Sequence, residues 1–142
     1  MPCTITRLLT CLGDALVAGR LDQISGHFTY PLPLYVNDDL VVFGTADTFA
    51  EALSMYRDAV LAIGTTQLRP RVVAQGLPVR GVSSVWVEWD HLGANGTCLR
   101  SNQVRYATHQ AATDLFPRVE MIDYTVTAFP ELSHALPSTR TA

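Results

Sequence analysis

From Thr4 onward apolar residues return at helical offsets: Ile5, Leu8, Leu9, Leu12 and Leu16 share one face, and Gly19-Arg20 supplies a stop. The pattern predicts an amphipathic helix with Gly13 inside it. Glycine there costs about 1 kcal/mol relative to alanine, so it points to close packing against another backbone, with simple drift as the alternative. A second, shorter helix follows from about Leu21 to His27, burying Leu21, Ile24 and Phe28. In Tyr30-Pro31-Leu32-Pro33-Leu34-Tyr35-Val36 the even positions are apolar and two successive odd positions are proline. Both missing amide donors point the same way, which predicts a strand at a sheet edge. Asn37-Asp38-Asp39 then turns the chain into Leu40-Val41-Val42-Phe43, completing a short hairpin.

Thr48-Phe49-Ala50-Glu51 has capping-box spacing, and Phe49, Leu53, Tyr56, Val60 and Ile63 form a helical stripe ended by Gly64. After this third helix the period changes. From Gln67 to Phe129 four strands are separated by turn signals at Gly76 to Gly81, Gly93 to Gly96 and Gln110 to Asp114. Alternation places Val85, Val87 and Trp89 inside, with Trp86, Glu88 and Asp90 on the other face; Val104 and Tyr106, then Ile122, Tyr124 and Val126, face inward on the last two strands. The tail from Pro130 is expected to fray. Helices first and antiparallel strands afterwards make an α+β chain.

Composition narrows the function classes. The chain has 142 residues, 48% of them apolar and 16% charged, with a formal charge of −3. This is expected to form a single folded domain, with a core over about 5–128. All ten basic residues are arginines scattered from Arg7 to Arg140, so no nucleic-acid footprint is present. Cys3, Cys11 and Cys98 form no metal or redox spacing, and their odd number argues for a reducing cytoplasm over a secreted disulfide scaffold. No apolar run approaches the ~20 residues of a membrane span. Gly93-Ala94-Asn95-Gly96 links two strands instead of leading into a helix, so it is no phosphate loop. Ser83 and Ser84 lack the glycines of a nucleophile elbow, and the four histidines show no metal-pair spacing. No cofactor is expected.

Two helices, a hairpin, a capped third helix and a meander of long strands form an order that resembles the nuclear transport factor 2-like superfamily. This group includes ketosteroid isomerases, SnoaL-like cyclases and limonene epoxide hydrolases. The local wording is similar in Ala18-Gly19-Arg20-Leu21-Asp22, in the capped helix after Gly44-Thr45, and in Val85-Trp86-Val87-Glu88-Trp89. The resemblance covers residues 5 to 128. It implies three N-terminal helices packed in a strongly curved, mostly antiparallel mixed sheet (a cystatin-like α+β roll), a pocket inside the cone and a homodimer on the sheet's outer face. The fold hosts many chemistries, so residues must decide. Aligned on Ala18-Gly19 and Tyr106, Leu12, Val36 and Val104 stand where ketosteroid isomerases place their tyrosine and two acids. Arg105 and Asp123 are the nearest match to the pocket charges of limonene epoxide hydrolases, but strand parity turns both outward, where Arg105 can pair with Asp123 or Glu120.

The remaining candidates are pocket groups. His91 continues the inward parity of Trp89 and has the near-neutral pKa that acid–base work needs; a plain strand-end histidine is the other reading. Asp38 lies near the position of the isomerase base but inside a turn that itself favours aspartate. His27 fits a helix C-terminus. Tyr30, Tyr56, Tyr106 and Tyr124 with Trp89 are candidates to line an aromatic pocket, and Asn102 shares the parity of Tyr106. Trp86, with Glu88 and Arg105, marks the outer face as a dimer interface. Two functions are consistent with this: binding of a small hydrophobic molecule, or a SnoaL-like cyclase or isomerase acting on a hydrophobic carbonyl compound with His91 or Asp38 as base.

Overall fold

The computed structural model describes residues 4–134; Cys3 and the tail beyond His134 lie outside the described residues. Three helices, α1 (Thr4–Ala18), α2 (Leu21–Ser25) and α3 (Ala46–Ala62), pack on a six-stranded sheet of β1 (Leu32–Val36), β2 (Asp39–Phe43), β3 (Gln67–Gln75), β4 (Val82–Leu92), β5 (Cys98–His109) and β6 (Arg118–Val126). The order across the sheet is β2-β1-β6-β5-β4-β3. Among these strands only the β1–β6 pairing is parallel.

The α1 stripe is buried as its spacing requires, with Leu8 and Leu9 fully enclosed. Gly13 is there for space: a Cβ on it would lie 2.9 Å from Trp89 Cζ3 and 3.3 Å from Leu68. The end of α1 is held by Arg57 of α3, whose Nε and Nη2 donate to the carbonyls of Leu16 and Val17, both at 2.9 Å. These are orphan carbonyls of a helix C-terminus, and a cation is the favoured partner there. Gly19 turns the chain with φ +82.

Four expectations are corrected. α3 begins earlier than Thr48, because Thr45 is its cap: the Thr45 hydroxyl accepts from the Thr48 N–H at 3.3 Å, and Thr48, not Glu51, closes the box. β1 is not an edge strand. Asn37 and Asp38 form a two-residue turn with φ 52 and 65, which directs the even-numbered N–H groups of β1 to β2 and the odd-numbered ones to β6. Pairing with β6 registers only from Leu34, so Pro31 and Pro33 lie before the ladder that would need their donors. Val126 is exposed and not inward, because a bulge between Gln103 and Val104 places Tyr124 opposite Val104 and Val126 opposite Gln103. The chain after β6 is ordered into a short 3-10 helix, Pro130–His134, and Phe129 is buried with Leu132 packed on the core.

The parity of β4 and β5 is as alternation predicts. Val85, Val87, Trp89, His91, Asn102, Val104 and Tyr106 are all buried. On the opposite face Asp90 is buried too, because Arg71 Nε (3.0 Å), Arg69 (3.3 Å) and the Ser101 hydroxyl (2.9 Å) close over its carboxylate. These contacts hold its pKa low against the opposing effect of its burial.

Candidate functional site

Helices and the inner face of the sheet line a cavity of about 130 Å³ that is partly open to solvent. One part of its wall is aliphatic and aromatic, with Leu12, Leu16, Ile24, Phe28 and Phe49 among its residues; among the described residues no arginine, aspartate or glutamate lines it. The polar groups gather elsewhere on the wall, and each is there for a reason visible in the chain. β4 supplies Trp89 and His91, two residues apart on one face; β5 supplies Asn102, directly opposite Trp89, and Tyr106; β6 supplies Tyr124; and α3 supplies Tyr56.

Hydrogen bonds fix the direction of each group. His91 Nδ1 lies 3.3 Å from the Arg100 carbonyl, an acceptor only, so Nδ1 carries the hydrogen and Nε2 is left as a lone pair. Tyr56 is 3.0 Å from that Nε2 and donates its hydroxyl hydrogen to it. Asn102 Nδ2 in turn donates to the Tyr56 oxygen at 2.7 Å, while its carbonyl accepts from the Ala128 N–H. Trp89 Nε1 donates to the Tyr106 oxygen at 2.8 Å. That leaves the Tyr106 hydroxyl hydrogen without an acceptor among the described residues, and the hydroxyl of Tyr124, a residue that also lines the cavity, without any hydrogen-bond partner there.

Burial sets the charge states. It lowers the His91 pKa below 6.5 despite the Arg100 carbonyl bond, so the ring is neutral at neutral pH. It pushes Tyr56 and Tyr106 well above the ordinary tyrosine value and Tyr124 up to about 12. All three hydroxyls therefore remain proton donors. The result is an uncharged cavity that is apolar over most of its surface and carries a hydrogen-bonded polar wall.

Six of the seven pocket candidates, Tyr56, Trp89, His91, Asn102, Tyr106 and Tyr124, meet around this cavity. Tyr30 does not: its hydroxyl donates to the Ser25 carbonyl at 2.8 Å and its ring packs by Phe49. Asp38 does not either, because its turn sits by an outer depression shared with Tyr35, Arg105 and Asp123. Arg105 and Asp123 pair with each other at 3.5 Å on the outer face, where Trp86 is 38% exposed. The His27 ring packs edge-on against Phe116. Sequence reasoning missed Thr127, Phe129 and Leu132 as cavity walls. It also missed Arg100, although the parity of Asn102 and Tyr106 extends to it.

No family model matches the sequence, and no curated protein does. Solved structures do match. A cystatin-like domain from Nostoc punctiforme superposes with TM-score 0.65 at 13% identity, over 92% of this chain and 80% of its own. A nuclear transport factor 2-like protein from Shewanella oneidensis gives 0.61 at 17% identity, over 85% and 95%. A protein from Catenulispora acidiphila, solved in complex with S-DNPA, gives 0.59 at 13% identity, over 84% and 90%. At these identities the likeness is one of architecture, and the chain has the nuclear transport factor 2-like, cystatin-like α+β fold.

Proposed function

We propose that this protein binds a small, neutral, largely hydrophobic molecule in the cavity, holding one oxygen of it against Tyr106 and Tyr124. The observation that carries the reading is the pair of hydroxyl donors, on Tyr106 and Tyr124, left without an acceptor among the described residues in an uncharged cavity that is apolar over most of its surface. Such an arrangement fixes orientation through a few polar groups and draws affinity from apolar contact. Cavities on the order of 150 Å³ accommodate a benzene-sized ring, so the ≈ 130 Å³ here matches a ligand of about one ring in size. The S-DNPA complex supports ligand binding as a use of this architecture. The outer face around Trp86, Glu88 and Arg105 is, on the same reading, the interface of a homodimer.

The test uses Trp89 as reporter in a Trp86→Phe background, which leaves one indole. Titration with acetophenone and with ethylbenzene should change Trp89 fluorescence saturably. The ketone should bind about 2–10-fold tighter, the worth of a net hydrogen bond of 0.5–1.5 kcal/mol. Tyr106→Phe with Tyr124→Phe should erase the difference. Failure of both compounds to saturate the signal overturns the reading.

A second reading, a SnoaL-like cyclase or isomerase acting on a hydrophobic carbonyl compound, is favoured by the Tyr56–His91 bond. A neutral imidazole beside a cavity hydroxyl can take a proton through Tyr56 while Tyr106 or Tyr124 donates to the carbonyl oxygen. A His91→Gln variant that remains folded at the assay temperature yet loses turnover of a ketone supports catalysis. Unchanged turnover in that variant removes His91 from the chemistry.

A further inference from the structure

We infer that the segment Thr127–Leu132 is the gate of the cavity and that Arg100, together with Asn102, is its latch. The inference rests on the cavity being a binding site, and it concerns how that site is entered. Thr127, Phe129 and Leu132 line the cavity, yet they belong to no strand, since β6 ends at Val126. Elsewhere the cavity is walled by paired strands, by helices packed on the core, and by Phe28, which is buried and bridged to Val119. Among the described residues, the polar ties of Ala128 and Glu131 to the sheet end, by contrast, on two residues of β5.

Arg100 supplies three of the contacts. Its Nη1 donates to the Ala128 carbonyl at 2.9 Å and lies 3.5 Å from Glu131, and its guanidinium stands 4.8 Å from the centre of the Phe129 ring. Asn102 supplies the fourth, accepting from the Ala128 N–H. The Phe129 ring is thereby held edge-on against both Tyr56 and His91, with centroids 5.4 Å away in each case. Both latch residues also reach the polar wall directly, Asn102 through Tyr56 and Arg100 through its own carbonyl on His91. Opening the segment therefore uncovers the functional groups themselves. Arg100 is the replaceable member, because its side chain is 39% exposed at the rim, whereas Asn102 is 1% exposed.

Amide hydrogen exchange on the ligand-free protein tests this. In the unaltered chain the Ala128 amide should exchange by local opening, faster than the Val104 and Tyr106 amides of β5. Arg100→Gln should speed Ala128 exchange about tenfold, the worth of a charge-assisted bond of about 1.5 kcal/mol, and leave Val104 unchanged. In the Trp86→Phe background the same variant should raise acrylamide quenching of Trp89 several-fold. Ala128 exchanging at the rate of Val104 in the unaltered chain overturns the gate. An Arg100→Gln variant with unaltered Ala128 exchange overturns the latch. No ligand is used, so these outcomes are separate from the acetophenone titration: a gate that opens over a cavity that binds nothing removes only the proposed function.

Discussion

His91 makes stability depend on pH in a way that isolates one ring. Its surroundings accept the neutral form: Nδ1–H points to the Arg100 carbonyl and Nε2 receives the Tyr56 hydrogen. Burial, the largest influence, lowers its folded pKa; the positive charge of Arg100 acts in the same direction, and Asp90 opposes it. In the unfolded chain the ring titrates near 6.5. Above that value both states are neutral and His91 contributes no pH dependence. Below it the unfolded chain binds a proton that the folded chain refuses, so stability falls as pH drops, until the folded pKa is reached. The slope in that window is at most about 1.4 kcal/mol per pH unit, which bounds the loss from pH 6.5 to 5.5 at about 1.4 kcal/mol.

The assay is urea denaturation at pH 7.5, 6.5 and 5.5 for the unaltered chain and for His91→Gln. The variant lowers stability at every pH, and that offset is irrelevant; the difference between the two pH slopes is the readout. Carboxylates and His27, whose pKa is also lowered by burial and by Arg118, are common to both proteins and cancel. The unaltered chain should lose up to about 1.4 kcal/mol more than His91→Gln between pH 6.5 and 5.5. Parallel slopes would refute the buried neutral ring, and with it the direction assigned to the Tyr56 hydroxyl.

Gly13→Ala tests the packing of α1 on the cavity wall. The alanine gains about 1 kcal/mol of helix propensity, but its Cβ arrives 2.9 Å from Trp89, and overpacking of this kind costs about 1–3 kcal/mol. The variant should be no more stable than the parent, with altered Trp89 fluorescence; a gain of a full 1 kcal/mol with unchanged emission contradicts the contact. On the outer face, light scattering at micromolar concentration should report a dimer that Trp86→Glu converts to monomer. A monomeric parent chain removes the interface assignment.

Alternation made the inner face of β4 and β5 readable because burial keeps period 2 from Val85 to Trp89 and from Asn102 to Tyr106, and the burial of Asp90 under Arg69, Arg71 and Ser101 leaves the inward parity of His91 unchanged. The aromatic and polar lining followed from it, except at Tyr30. Where the ladder is irregular, parity failed: one bulge sends Val126 outward. Edge and interior strands were confused at β1 because proline reports only a missing donor, and the donors of Pro31 and Pro33 are missing where the β6 ladder has not begun. The gate was illegible for a different reason. Phe129 and Leu132 are three residues apart beside Pro130, too short a pattern to set against the expectation of a frayed tail. Its latch, Arg100, is an exposed arginine like several others until the chain after β6 folds back onto it.

Whether the cavity receives a ligand at its polar wall is decided by a nitrogen-15 spectrum of the protein titrated with acetophenone. The indole N–H of Trp89, bonded to Tyr106, and the side-chain amide of Asn102, bonded to Tyr56, should shift together and saturate, while the indole of Trp86 stays in place. Saturating shifts absent from Trp89 and Asn102, or equal movement of both indoles, would contradict the account.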